Sequence, residues 1–169
     1  MLQKKICMLG SFSVGKTSLV RRFVESIFSD AYQTSIGVKI DKKVVRSGNE
    51  DVTLVLWDIH GEDVYQKIRM SYLRGMSAYL LVVDGTRRQT LDDALALNER
   101  VVEEAGKVPA ILVINKSDLA EKWEIDAARE SELTAAGWTI IRTSAKTGDS
   151  VEEVFSKLTA AMLAAMLAE

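Results

Sequence analysis

The sequence predicts an α/β fold: a mostly parallel six-stranded sheet with one antiparallel strand, and helices on both faces. Three observations predict it. Strand-like apolar runs alternate with helix-length segments along the chain. Two of those runs, Ala78 to Val83 and Ala110 to Ile114, are continuously apolar, as strands covered on both faces are. The stretch Gly10-Ser11-Phe12-Ser13-Val14-Gly15-Lys16-Thr17 fits G-x-x-x-x-G-K-[ST], the phosphate-binding P-loop pattern.

The elements follow in order. Lys5 to Leu9 reads as a short buried strand, and Thr17 to Val24 as the start of a helix. Residues 27–37 are polar at their centre and read as a loop. Val38 to Arg46 and Val52 to Trp57 read as an antiparallel pair around a turn at residues 47–51. Asp63 to Leu73 is expected to be a helix. After the strand at Ala78 to Val83, Thr90 is expected to cap a helix reaching about Ala105, with Asp92 and Asp93 in its acidic first turn. Asp126 to Ala136 reads as a helix ended by Gly137, and Trp138 to Ile141 as the last strand. Ser150 and Glu153 spell a capping box for a final helix with Val151, Val154, Phe155, Leu158 and Met162 along one face.

Composition bounds the class. The 169 residues suffice for one domain, 1–169, with a full core. Hydrophobic residues are 47% and charged residues 27%, which fits a folded rather than a disordered chain. The 22 basic and 24 acidic residues leave a net charge of -2, so no basic excess points to nucleic acid. The one cysteine, Cys7, favours a reducing, cytoplasmic setting and reads as a small core residue. No signal peptide opens the chain, and no apolar run has the length of a membrane span.

In parallel sheets, ligands bind at the carboxyl ends of the strands. Polar clusters fall there: the P-loop after the first strand, Asp58-x-x-Gly61 after the third, Asn115-Lys116-Ser117-Asp118 after the fifth and Thr143-Ser144-Ala145-Lys146 after the last. In the P-loop, Gly10 and Gly15 permit close backbone approaches that a side chain blocks. Successive N–H groups can then face phosphate oxygens at a helix N-terminus. Lys16 suits the β- and γ-phosphates, and the Thr17 hydroxyl suits Mg²⁺. Taken singly, Asp58 also reads as a helix cap, Asn115 to Asp118 as a turn and Ser144 to Lys146 as a solvated loop.

With these four motifs in order, the whole chain resembles a Ras-superfamily small GTPase, the Rab branch most closely. Thr34-Ser35-Ile36-Gly37-Val38, Tyr72-Leu73-Arg74-Gly75 and Trp57 before Asp58 are also similar to Rab sequences. The resemblance implies a P-loop NTPase domain that binds GTP and GDP with Mg²⁺ and hydrolyses GTP slowly. It implies that Ser13, Val14, Gly15, Lys16, Thr17, Ser18 and Gly61 contact the phosphates. It places Asn115, Lys116, Asp118, Leu119, Ser144, Ala145 and Lys146 around the guanine base. Phe28 matches the family's aromatic edge against the base, though it also reads as a core or hinge residue. Thr17, Ser35 and Asp58 match its Mg²⁺ site. Residues 28–38 and 59–74 match its switch segments, where protein effectors and regulators bind.

The implied catalytic set is Lys16, His60, Gly61 and Glu62, and it departs from the family's pattern. Glu62 stands where the family has a glutamine that orients the attacking water. A glutamate lacks that amide donor and is repelled by the γ-phosphate. His60 replaces the usual alanine, Phe12 a usually small residue, and Ser35 the usual threonine. Residues 160–169 hold no cysteine, so no prenylation signal is present. The missing lipid signal and the unusual switch motif suit a prokaryotic relative. A second reading, a GTP- and GDP-binding interaction module with negligible hydrolysis, rests on Glu62 and Phe12.

Overall fold

In a computed structural model of the chain, residues 2–25, 37–61 and 67–169 are described. Phe28, Ser35, Glu62 and most of the expected 27–37 loop lie outside them. The strands are β1 (Leu2–Gly10), β2 (Val38–Ser47), β3 (Glu50–Ile59), β4 (Ala78–Asp84), β5 (Ala110–Asn115) and β6 (Ile140–Thr143). They form one sheet in the order β2-β3-β1-β4-β5-β6. Among the described residues only β2 and β3 pair antiparallel; β1 lies parallel between β3 and β4. The helices are α1 (Lys16–Glu25), α2 (Arg88–Ala105), α3 (Ala127–Ala135) and α4 (Val151–Leu167).

Alternation along the strands builds two cores. Ile6, Met8, Leu80, Val82, Ile111 and Val113 face one side, with Phe23 of α1 and Phe155 of α4. Those two rings stack with centroids 3.8 Å apart. Cys7, Leu9, Leu81, Val83, Leu112 and Ile114 face the other side, with Leu91, Leu97 and Val101 of α2 and Leu133 of α3. The expected apolar face of α4 is buried at all five positions. Cys7 is buried, and its thiol is pushed up to about 12 by loss of solvent.

Several expectations are corrected. The hairpin turn has two residues, not five: Ser47 pairs with Glu50, and Gly48 takes φ +61°, a positive angle such tight turns require. Of the helix expected over 63–73, the described part contains only a 3₁₀ turn, Met70–Leu73. The segment is held by tertiary contacts instead. Ile68, Leu73 and Met76 are buried at uneven spacing, and Lys5 Nζ donates to the Arg74 carbonyl at 2.8 Å.

α2 begins at Arg88, ahead of Thr90, so Thr90 is not its cap and Asp92 and Asp93 lie beyond its first turn. The Thr90 hydroxyl instead donates to the Arg87 carbonyl and accepts from the Asp84 N–H at 2.9 Å, fastening the helix to β4. β6 starts at Ile140 rather than Trp138 because the helix before it uses that residue. Gly137 at φ +106° ends α3, and the Trp138 N–H donates back to the Leu133 carbonyl. The capping box at Ser150 does not form. Its backbone is left-handed at φ +58°, whereas a capping side chain works from an extended residue.

Candidate functional site

The carboxyl ends of β1, β3, β5 and β6 bring the predicted clusters to one edge of the sheet. The P-loop leaves β1 at Gly10, where an added Cβ would sit 2.3 Å from the Val82 carbonyl oxygen. Gly15 has φ +99°, and its Cβ would sit 2.3 Å from Asn115 Nδ2. No other residue fits either place without a shift. Ser13 between them is left-handed at φ +61°, an angle that costs a non-glycine residue roughly 1 kcal/mol. α1 begins at Lys16, so the loop ends on a helix N-terminus, and Ser18 lies half-buried in the first turn.

Lys16 is buried, and its Nζ donates to the Ser11 carbonyl at 3.2 Å. Loss of solvent lowers it to about 8, against the opposing pull of Asp58. The Thr17 hydroxyl donates to Asp58 Oδ2 at 2.5 Å. Burial pushes the Asp58 carboxyl up, and the Thr17 hydroxyl, Lys16 and Lys39 hold it back. A hydroxyl and a carboxylate side by side are the hard oxygen donors Mg²⁺ takes when phosphates supply further ligands. The residues present therefore fit the ion. Among the described residues, no cluster of three His, Cys, Asp or Glu side chains offers an all-protein metal site.

The segment after β3 packs on the P-loop. A Cβ on Gly61 would lie 2.7 Å from the Ser11 carbonyl and the Phe12 nitrogen, so only glycine allows this approach. The His60 ring lies 5.8 Å from the Phe12 ring at an interplanar angle of 48°. The His60 N–H donates to the Gly37 carbonyl at 2.9 Å.

Asn115 ties the two halves of the site together. Its Nδ2 donates to the Val14 carbonyl at 3.0 Å, while its Oδ1 accepts from the Thr143 hydroxyl at 3.1 Å and the Ala145 N–H at 3.3 Å. The Ser144 hydroxyl donates to Asp118 Oδ1 at 2.8 Å, fixing that otherwise exposed carboxylate. Leu119 and Lys146 are exposed beside it. Lys116, left-handed at φ +74°, reaches Ser13 O at 3.3 Å and Asp84 Oδ2 at 2.9 Å.

Sequence reasoning missed three residues that hold the site, Asp84, Arg87 and Arg22. Asp84 ends β4 and Arg87 follows three residues on, so the carboxyl-edge rule covers them; Asp84-Gly85-Thr86-Arg87 is the polar stretch it selects. Arg22 carries no such signal. It sits inside α1, and its guanidinium donates to the carbonyls of Ala145 and Lys146 at 2.8 and 2.5 Å.

The Ras family sequence pattern matches residues 5–164. The chain is 37% identical over 157 residues to the Ras-related protein Rab-30 of Homo sapiens, covering 91% of this chain and 77% of that one. It is 35% identical over 162 residues to Rab-17 of Mus musculus, covering 94% and 75%. It is 35% identical over 157 residues to Rab-4 of Dictyostelium discoideum, covering 92% and 77%.

Proposed function

The chain belongs to the Ras family and is a small GTPase switch, and we propose that it holds GTP or GDP with Mg²⁺ and hydrolyses GTP slowly. One observation carries the reading. Asn115 bonds the P-loop through its amide nitrogen and the β6 end through its amide oxygen, three residues before the Asp118 carboxylate that Ser144 holds. A phosphate cradle and a base acceptor are thus set at a fixed distance.

The base end selects by hydrogen bonding. The Asp118 carboxylate is a pure acceptor, suited to the two adjacent N–H donors of guanine, which adenine lacks in that pattern. A base without them leaves the carboxylate unpaired. At the phosphate end, Lys16 brings a positive charge into a low-dielectric site, where it counts for more than in water. Thr17 and Asp58 would hold Mg²⁺, with Ser35 as the further ligand we assign from outside the described residues. Held there, the ion would supply positive charge against the phosphates of the nucleotide.

Slow turnover follows from Glu62. It cannot donate to the γ-phosphate, and its charge opposes an anionic substrate. Phe12, whose ring lies beside His60, replaces a usually small residue, and its bulk would crowd an activator's arginine. Glu62 and this bulk are the argument for the second reading, a guanine-nucleotide-binding module with negligible turnover. Effectors and regulators are assigned to residues 28–38 and 59–74.

Phosphate release by purified protein with GTP and Mg²⁺, in single- and multiple-turnover formats, separates the readings. A rate on the order of 10⁻⁴ to 10⁻² per second supports the switch. Glu62→Gln should then be faster than the wild type, and an equal or slower rate refutes Glu62 as the cause. GTP that binds and stays intact supports the binding module. ATP that competes as well as GTP overturns both.

A further inference from the structure

Three successive carbonyls of the P-loop are gripped from outside the loop. Arg87 Nη2 donates to the Phe12 carbonyl at 3.0 Å and to the Ser13 carbonyl at 2.9 Å. Lys116 Nζ adds a bond to Ser13 O at 3.3 Å, and Asn115 Nδ2 holds Val14 O at 3.0 Å. Both cations are fixed by one carboxylate. Asp84 Oδ2 lies 3.0 Å from Arg87 Nε and 2.9 Å from Lys116 Nζ. Its Oδ1 accepts from the Thr86 N–H and hydroxyl at 2.9 and 2.7 Å. Asp84 is 1% exposed, whereas Arg87 is 45% exposed.

Peptide planarity gives these grips a consequence. In a trans peptide, the C=O of one residue and the N–H of the next point in opposite directions. Fixing the carbonyls of Phe12, Ser13 and Val14 outward therefore turns the N–H groups of Ser13, Val14 and Gly15 inward. Those successive donors are the anion-binding element of the loop. The arrangement also holds Ser13 in its left-handed backbone. Such an angle persists only where its surroundings impose it.

We propose that Arg87, anchored by Asp84, is a positioning residue for the phosphate cradle: it fixes the peptides after Phe12 and Ser13 so that their N–H groups face the β-phosphate. The role rests on the GTP/GDP reading above. It works through the loop and touches no phosphate. A guanidinium suits it because Nε pairs with Asp84 while Nη2 remains to meet two carbonyls, a division an ammonium cannot reproduce.

The test measures dissociation of a fluorescent GDP analogue from Mg²⁺-loaded protein, with the ³¹P resonance of the bound β-phosphate as a second readout. Arg87 is substantially exposed, so Arg87→Ala is expected to fold. It should release GDP about tenfold faster, as loss of charge-assisted hydrogen bonds implies. Its β-phosphate resonance should move. Arg87→Lys should recover part of both changes, and Arg88→Ala, which removes a neighbouring exposed charge, should change neither. Dissociation from Arg87→Ala within twofold of wild type overturns the proposal. So does an unmoved resonance, which marks Arg87 as merely stabilising, and so does an equal effect of Arg88→Ala. Failure of the wild type to bind GDP at all is a separate result, and it overturns the nucleotide reading itself.

Discussion

Asp118 is the residue on which base selection turns. Its carboxylate is exposed yet held, since one oxygen accepts from the Ser144 hydroxyl while that hydroxyl accepts from the Thr147 N–H at 3.1 Å. Pre-setting an acceptor in this way lowers the cost of ordering it when a ligand arrives. Asp118→Ala should therefore weaken GDP binding by at least about a hundredfold, because two donors of the base lose their partner. Ser144→Ala should cost less, on the order of tenfold, since the carboxylate remains and only its fixing is lost. Fluorescence titration with a labelled GDP checks both. Equal losses would mean that Ser144 contributes more than the positioning of Asp118.

At the scale of an element, α3 offers a clean measurement. Asp126 is its N-cap, with a carboxylate oxygen accepting from the Arg129 N–H at 2.8 Å. Gly137 and Trp138 close the other end. Asp126→Ala should lower stability by about 1 kcal/mol without altering nucleotide release. A urea midpoint unchanged from wild type would contradict the cap. The same helix shows what sequence makes legible. Its stop is a local signal, a glycine after the last turn, and it was readable; Asp126 was read as the first helical residue and stands instead as the cap before it. The buried strands and the four motif clusters were readable for a similar reason: a continuous apolar run and a glycine-bounded loop are encoded within a few residues. The errors arose where distant contacts decide. The segment before Gly75 carries a plausible helical composition but is pinned by Lys5 and packed through Tyr72 and Leu73. Ser150 offers the right side chain on a backbone that its loop has made left-handed. Arg22 reaches Ala145, more than a hundred residues away, and no window of sequence contains that contact.

For the whole molecule, Asp84 is a joint between sheet and loop. It ends β4, lies beside Asn115 in the sheet register, and carries the two cations that hold the P-loop. Burial alone would push its carboxyl up. The Thr86 hydroxyl and N–H, Lys116 and Arg87 together outweigh that cost and hold it below the ordinary aspartate value. The sign of the pH dependence follows. As acid is added, the unfolded chain takes up this proton before the folded protein does. The stability contributed by Asp84 is thus fully present above the unfolded carboxylate value and is lost as pH falls through the lower folded one. Asp84→Asn keeps the shape, removes the charge and leaves Arg87 and Lys116 facing a neutral amide. Its deficit in urea midpoint against wild type should be largest above about pH 5 and should shrink towards pH 3. A deficit that stays constant across that range would show that Asp84 supplies shape and hydrogen bonds rather than charge. The cations over Phe12 and Ser13 would then owe their place to the backbone instead of to the carboxylate.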